Sequence, residues 1–305
     1  MGLKREELWN LRLRDARSDI ASLLTSEPTW TRQALEHLLS EQRKDWRFPN
    51  TITAEYFCDY LTRTRLLRKV VLPRKNRWDI KTSYPGEIVL YARNTATPFE
   101  IALAIRSHSH LSHLSAAFVH GITNLLPKTV FTNREQGPKS TVPRRKLEQE
   151  AVDAAFSKPA RTTSNVYILD EHEIVLLSGQ STGQIELETQ MGPDNQEYPV
   201  SSLERTLIEC TVRPCYAGGI HEVLSMYQVA TSRVGVRRLR SVLEQLHLKY
   251  PYRQAVGFLL ERAGYPSAHL RLFQQPPFEI DFYLDNAIID PGYSTTWRLY
   301  YPQGV

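Results

Sequence analysis

The stretch TAEYFCDYLTRTRLLRKVVLP, residues 53–73, predicts a short helix that leads directly into a β-strand. Thr51 or Thr53 can cap the helix, and its aromatic and leucine side chains recur at i,i+4 spacing. The strand is LLRKVVLP (66–73), and EIVLYAR (87–93) is predicted to return beside it after a loop. The stretch therefore predicts a helix followed by a two-stranded hairpin.

Two further helices are predicted upstream of this stretch. Apolar residues at helical spacing predict the first over residues 3–24. Thr31 is the expected N-cap of the second, whose leucines form one apolar face. Three helices followed by a hairpin are the order of elements in a winged helix-turn-helix. We therefore predict an α+β protein, with a winged helix-turn-helix over residues 1–93 and a larger mixed α/β domain over residues 94–305.

Positive charge is concentrated on the same stretch. Residues 63–81 carry eight lysines and arginines against Asp79 alone, a net charge of +7, whereas the whole chain has a net charge of +5. The other 286 residues therefore sum to −2. In a winged helix the third helix lies in the major groove and the hairpin contacts phosphates or the adjacent minor groove. The predicted DNA-binding residues are Arg63, Arg65, Arg68, Lys69, Arg74, Lys75, Arg77 and Lys81.

These residues have two predicted roles. The first four are expected to meet the DNA backbone at the end of the third helix, and Arg74, Lys75 and Arg77 are expected to act as the wing. The bases are expected to face residues 51–60. Two alternatives remain: the basic segment is an ordinary solvated surface, or the winged helix binds a partner protein instead of DNA.

Composition excludes several classes of protein. The chain has 305 residues, 41% of them apolar and 23% charged, which is typical of a folded protein of about two domains. No apolar stretch reaches the ~18 residues of a membrane helix, and the first residues do not resemble a signal peptide. Three cysteines without CxxC spacing favour free thiols over a disulfide framework or a zinc knuckle. These features predict a cytoplasmic protein without a membrane partner.

Local signals also outline the larger domain. Thr97-Pro98-Phe99-Glu100 combines an N-cap, a proline and a glutamate at the spacing of a capping box, and Ser201-Ser202-Leu203-Glu204 is predicted to open another helix as a capping box. Residues 134–163 are predicted to form a polar excursion with a possible short helix at 146–156. FEIDFYL (278–284) alternates like a strand.

Two patterns resemble parts of enzyme sites. The histidines at 108, 110, 113 and 120 cluster in sequence, but no cysteine lies near them and packing or hydrogen bonding is the preferred interpretation. GQSTG (179–183) matches the nucleophile elbow of hydrolases. A helix must follow such an elbow, whereas a strand-like segment follows here, so a hairpin turn is predicted.

A third pattern consists of acidic residues near the C-terminal end. Glu261, Glu279 and Asp281 could hold magnesium in a nuclease, but the lysine that such sites generally add is missing between Lys249 and Val305. No Walker or GxGxxG motif is present. We therefore predict that the protein is not an enzyme and uses no cofactor or metal, and we keep a metal-dependent nuclease as the alternative.

Four motifs resemble those of the AbiEi family of type IV antitoxins. They span residues 94–265, with the predicted winged helix in the family's usual N-terminal place. The motifs are SHLSAA…HGIT (112–123), SLERTLIE (202–209), GG before IHEVLSMY (218–227) and VGFLLERAG (256–264).

This resemblance implies a two-domain regulator. Its N-terminal domain would bind DNA repeats in its own promoter and repress the operon. Its C-terminal domain would neutralise a co-encoded nucleotidyltransferase toxin, directly or indirectly. The excursion at 134–163 and the residues after 265 depart from the family pattern.

Overall fold

The structure is a computed structural model that describes residues 5–76, 85–138 and 146–305. Helices and three separate β-sheets confirm the α+β class. Contacts divide the chain into a first unit, Met1–Ser107 with Asn165–Ile174, and a second unit, His108–Ser164 with Val175–Val305. The predicted domain boundary at residue 93 stays a prediction. Within the described ranges, no helix has the length and apolar character needed to cross a membrane.

The first unit begins with helices that match the predicted order, with one change. The predicted helix over 3–24 is two helices, α1 (Arg5–Asp15) and α2 (Arg17–Leu23), because the backbone of Ala16 leaves the helical conformation with ψ at 2°. The others are α3 (Arg32–Gln42), α4 (Ala54–Arg63) and α5 (Pro98–Ala104).

Threonine caps begin three of these helices. The Oγ1 atom of Thr31 accepts a hydrogen bond from the amide of Ala34, and Thr53 accepts one from Tyr56. Thr97 and Glu100 form the complete, reciprocal capping box that the sequence predicts. Of the two candidate caps for α4, the structure therefore selects Thr53.

The strands of the first unit form a three-stranded antiparallel sheet. They are β1 (Thr29–Trp30), β2 (Arg68–Pro73) and β3 (Glu87–Ala92), in the order β1-β3-β2. Val70 pairs with Leu90 and Trp30 with Tyr91, which confirms the predicted hairpin strands. Helices α1 to α4 pack into one apolar core with the sheet residue Tyr91.

A later segment completes the first unit. Strand β6 (Val166–Leu169) lies beside the end of β2, where Arg74 forms a β-bridge with Tyr167. The amide of Lys75 donates a hydrogen bond to the carbonyl of Val166 at 2.8 Å. The base of the predicted wing is therefore held by residues about ninety positions further along the chain.

The largest sheet contains β6 and five further strands. These are β4 (His110–Leu111), β5 (Thr129–Glu135), β7 (His172–Gly179), β8 (Leu187–Met191) and β9 (Glu197–Ser201). The order of the six strands is β6-β7-β5-β4-β9-β8. Strand β4 runs antiparallel to β5 and parallel to β9. Because three strands separate β7 from β8, the GQSTG segment is a connection between distant strands, and the predicted hairpin turn is wrong.

Seven α-helices of the described part of the chain belong to the second unit. The helices are α6 (His113–Val119), α7 (Gln149–Phe156), α8 (Leu203–Val212), α9 (Ile220–Val229), α10 (Val236–Gln245), α11 (Tyr252–Arg262) and α12 (Ser267–Gln274). One of them, α7, confirms the short helix predicted at 146–156, although it begins three residues later, at Gln149. The cap of α8 is Ser202, so its third helical residue is Arg205 and the predicted capping box with Glu204 is wrong.

A small sheet lies at the C-terminal end of the second unit. It consists of β10 (Phe282–Tyr283), β11 (Gly292–Ser294) and β12 (Leu299–Tyr301) in the order β10-β12-β11. The predicted strand over 278–284 is shorter because side chains bind the preceding backbone. Gln254 donates to the carbonyl of Ile280, and the amide of Asp281 donates to Gln149.

Candidate nucleic-acid interface

Helix α4 presents a mixed surface. Its buried face consists of Phe57, Cys58, Tyr60 and Leu61, which belong to the core of the first unit. Glu55, Asp59 and Arg63 are exposed. Among the residues predicted to face bases, the exposed charged groups are therefore carboxylates, whereas the exposed cation lies at the end of the helix.

Helix α1 holds α4 in place from the N-terminal side. The indole of Trp9 packs edge-on against the ring of Tyr56, with centroids 4.8 Å apart. The hydroxyl of Tyr56 donates to Asn10 Oδ1 at 2.9 Å, and that of Tyr60 donates to the carbonyl of Leu13 at 3.0 Å. Burial of Tyr60 raises its pKa, so this hydroxyl remains a hydrogen-bond donor at neutral pH.

The sheet holds α4 from the opposite direction. The Cys58 thiol and the Tyr91 hydroxyl of β3 form a side-chain hydrogen bond. Desolvation by burial raises the pKa of Tyr91 to about 12, and burial also raises the pKa of Cys58. Both groups are therefore neutral packing residues, and α4 has a fixed orientation between α1 and β3.

Four exposed arginines lie at or near the C-terminal end of α4. A guanidinium nitrogen of Arg17 donates to the carbonyl of Thr64, the C-cap of α4, at 3.3 Å. The charges of Arg14, Arg17 and Arg63 all act on Tyr60, and Arg65 follows the cap directly. We call Arg14, Arg17, Arg63 and Arg65 the α4 arginine cluster. The sequence prediction missed the first two because they lie about fifty residues upstream.

The cluster has a structural role in addition to any binding role. The C-terminal end of a helix carries a partial negative charge, and nearby cations stabilise it by about 0.3–1 kcal/mol. Arg63 also lies over the ring of Tyr56, 5.6 Å from its centroid. Within the described residues, no salt bridge includes any of the four arginines. Their charge is therefore available to an external anion.

The predicted DNA-binding cations in and after β2 differ in their exposure to solvent. Lys69 is exposed and Arg68 is half-buried. Arg74 is only 4% exposed and forms a β-bridge with Tyr167 of β6, and its predicted contact with DNA phosphates stays a prediction. Lys75 is exposed but forms a salt bridge with Glu173. The predicted wing residue Arg77 and the predicted DNA-binding residue Lys81 lie outside the described residues.

A buried polar cluster of the second unit contains two residues of the SLERTLIE motif, Arg205 and Glu209. Arg205 of α8 is 3% exposed and binds two carboxylates. Its Nη2 atom lies 3.0 Å from Glu135 Oε1, and its Nε atom lies 2.8 Å from Glu209 Oε1. A second oxygen of Glu209 accepts from the Ser201 hydroxyl at 2.7 Å. We call Arg205, Glu135 and Glu209 the α8 ion triad.

The triad also organises the GQSTG segment. The amides of Thr182 and Gln184 donate to Glu135 Oε2 at 2.7 and 3.1 Å. Burial alone would raise the pKa of Glu135, but these hydrogen bonds and the one from Arg205 lower it below the ordinary value. Thr182 therefore serves as a structural anchor, and nothing in this geometry resembles a nucleophile elbow.

The two histidines of the SHLSAA…HGIT motif are hydrogen-bonding residues in the core. His120 Nε2 lies 2.7 Å from the carbonyl of Ser201, and His113 Nδ1 lies 3.0 Å from the Ser112 hydroxyl. Burial lowers the pKa of His113 to about 4. His120 therefore joins the end of α6 to β9, whereas His113 binds the N-cap residue of its own helix.

The acidic residues of the nuclease alternative are spread over separate contacts. Glu261 accepts from the indole of Trp297 at 2.8 Å, and Asp281 pairs with Arg298 at 2.8 Å. The exposed Glu279 pairs with Lys146 at 3.3 Å. In the part of the chain that the structure describes, no three His, Cys, Asp or Glu residues are placed to share a metal ion.

These elements define an α+β protein of two units. The chain matches no family model and no curated protein. Its fold is similar to the one described as "Crystal structure of RV2827C protein from Mycobacterium tuberculosis", with a TM-score of 0.56 and 13% sequence identity. The similarity covers 95% of this chain and 91% of that chain, so it concerns the fold of both units.

Proposed function

We propose that the first unit is a winged helix-turn-helix that binds DNA. The supporting observation is the order α1/α2, β1, α3, α4, β2, β3 combined with the sheet order β1-β3-β2. In a winged helix the third helix of this order, here α4, enters the major groove and the β2–β3 connection is the wing. The α4 arginine cluster supplies phosphate-binding charge at the end of that helix.

The charge pattern indicates how such a complex would be held. Arginine recognises phosphate oxygens through its planar fork of N–H donors. We propose that Arg14, Arg17, Arg63 and Arg65, with Lys69, contact the DNA backbone. The exposed Glu55 and Asp59 would be repelled by phosphates, so their place is toward base edges, where a carboxylate accepts from the N4 amino group of cytosine.

For the whole protein, we propose an antitoxin that represses its own operon and neutralises a co-encoded nucleotidyltransferase toxin. Support comes from the four family-like motifs. One of them supplies Arg205 and Glu209 of the α8 ion triad, and His120 of another binds the carbonyl of Ser201, whose hydroxyl binds Glu209. Co-expression with the neighbouring reading frame tests this role. If the frame encodes a toxic nucleotidyltransferase, restored growth in the presence of this chain is the expected result. Persistent toxicity would contradict the antitoxin role.

DNA binding is tested with the chain's own promoter fragment. We expect the double variant Arg63→Ala/Arg65→Ala to bind more weakly and to reduce the slope of log K against log salt by about 0.9 for each lost phosphate contact. Fluorescence anisotropy from 50 to 300 mM salt measures both quantities. Arg237→Ala, which removes an exposed arginine from the second unit, is the matched control.

The results separate the remaining alternatives. An unchanged affinity and slope in the double variant would remove the α4 arginine cluster from the interface. Complete failure of the wild-type chain to bind its promoter would favour the protein-interaction module. Magnesium-dependent cleavage of the fragment that is lost in Asp281→Ala would favour the nuclease.

A further inference from the structure

A row of tyrosines crosses the small C-terminal sheet. Tyr283 of β10 is paired with Tyr300 of β12, and Tyr300 is paired with Tyr293 of β11. Directly paired residues place their side chains on the same face of a sheet. The ring centroids of Tyr283 and Tyr300 are 4.9 Å apart, and those of Tyr293 and Tyr300 are 4.8 Å apart. We call these three residues the tyrosine row.

The row has one covered end and one open end. The buried Phe156 stacks on Tyr283 with an interplanar angle of 11°, and Tyr300 lies between the other two tyrosines. Tyr293 is 41% exposed. The core uses the opposite side of the sheet, where Phe282 and Leu299 are fully buried. The exposed ring of Tyr293 therefore contributes little to the core and is accessible to a partner.

The charge around the row selects the partner's chemistry. Residues 272–298 contain four acids, Glu279, Asp281, Asp285 and Asp290, against one cation, Arg298, which is a net charge of −3. Asp281 Oδ1 accepts from the Tyr293 hydroxyl at 2.8 Å, so a carboxylate stands at the polar end of the exposed ring. Arg298 pairs with the same oxygen. Glu279 also pairs with Lys146, so Asp285 and the exposed Asp290 are the acids of this segment without a salt bridge among the described residues. The remaining negative charge repels nucleic acid, whereas a cation is attracted to it and to the ring face.

We propose that the tyrosine row is a docking surface for a partner protein that places an arginine side chain on the ring of Tyr293. A guanidinium stacks on an aromatic face and pairs with carboxylates, which an ammonium does less well. Tyrosine and arginine are also the residue types that dominate the energetics of protein interfaces. All of these residues belong to the second unit, so a test of this surface does not depend on whether the first unit binds DNA.

The test uses the full chain and two fluorescein-labelled peptides, GRGRGRG and GKGKGKG, in fluorescence anisotropy titrations at low salt. We expect the arginine peptide to bind more tightly than the lysine peptide. Tyr293→Ala should lower the affinity for the arginine peptide about 2- to 5-fold, which corresponds to the loss of one exposed cation–π contact. Tyr293→Phe, which keeps the ring, should retain most of the affinity. Ile289→Ala is the matched control, since Ile289 is 84% exposed in the same segment.

Several outcomes would overturn the assignment. Equal affinity of the wild type and Tyr293→Ala, or equal binding of the two peptides, would show that the ring is not used. Tighter binding of a twelve-residue oligouridine that Tyr293→Ala abolishes would assign the row to RNA. Loss of a dimer in Tyr293→Ala, measured by analytical ultracentrifugation, would assign it to a second copy of the chain. Thermal melts of each variant check that the fold is intact.

Discussion

Arginine side chains are exposed in the α4 arginine cluster but buried in the α8 ion triad. Arg63 and Arg65 are exposed and have no salt-bridge partner in the described part of the chain, whereas Arg205 is buried between Glu135 and Glu209. A buried charge requires partners, and removing one partner leaves the others uncompensated. Exposed charges contribute little to folding and remain available for binding. The comparison predicts that stability depends on the triad and DNA affinity on the cluster.

Substitution of Arg205 by alanine should have the largest effect on stability. Two carboxylates would remain in a site that is nearly closed to solvent, and the hydrogen bonds that hold Thr182 and Ile185 would be weakened. We expect a loss of about 3–5 kcal/mol in the free energy of unfolding. Urea denaturation followed by circular dichroism measures this loss.

The matched control is Arg63→Ala, which should change the free energy of unfolding by less than about 1 kcal/mol because Arg63 is exposed. Comparable losses in the two variants would contradict the assignment of stability to the triad. A large loss of stability in Arg205→Ala, with unchanged DNA affinity of the folded fraction, would support the separate roles of the triad and the cluster.

Local signals explain why part of this structure is predictable from sequence. The threonine caps at 31, 53 and 97 satisfy backbone amides three residues away, so the information for each helix start lies within one turn. The β-branched and other apolar residues of β2 and β3 are an equally local signal. These elements were therefore predicted with nearly correct bounds.

The composition of the candidate site depends on contacts between distant residues, which local sequence patterns do not contain. Arg74 looks like a wing cation in sequence, but β6 returns about ninety residues later and buries it. Arg14 and Arg17 look like solvated helix residues, but the packing of α1 and α2 brings them to the end of α4. A charge count over one segment cannot include either effect.

Low pH should lower the free energy of unfolding of the second unit, because His113 takes up a proton more readily in the unfolded chain. Its pKa is lowered by burial from 6.5 to about 4, so the unfolded chain binds a proton more readily than the folded chain between these values. The stabilisation is therefore present above pH 6.5 and is lost as the pH falls toward 4. Linkage gives a loss of about 1 kcal/mol between pH 7 and pH 5.5, and about 2 kcal/mol by pH 4.5.

Urea denaturation at these three pH values, with His113→Gln as the comparison, isolates this contribution. The variant cannot take up the proton, so its stability should fall less steeply with acid than that of the wild type. Parallel curves for the two proteins would show that His113 is not the group that titrates. The triad carboxylates, whose pKa values are lowered, lose their contribution at a more acidic pH.

The smallest expected effect concerns the cap of α4 and separates helix stability from DNA binding within the first unit. Thr53→Ala removes the side-chain acceptor for the amide of Tyr56, which should cost about 1 kcal/mol of stability, whereas Thr53→Ser keeps the oxygen and should restore it. Thermal denaturation measures the difference. Since the cap lies at the opposite end of α4 from Arg63, promoter affinity of the folded protein should change less than in Arg63→Ala/Arg65→Ala. A larger loss of affinity in the cap variant would mean that the N-terminal end of α4, and not the arginine cluster, dominates the contact with DNA.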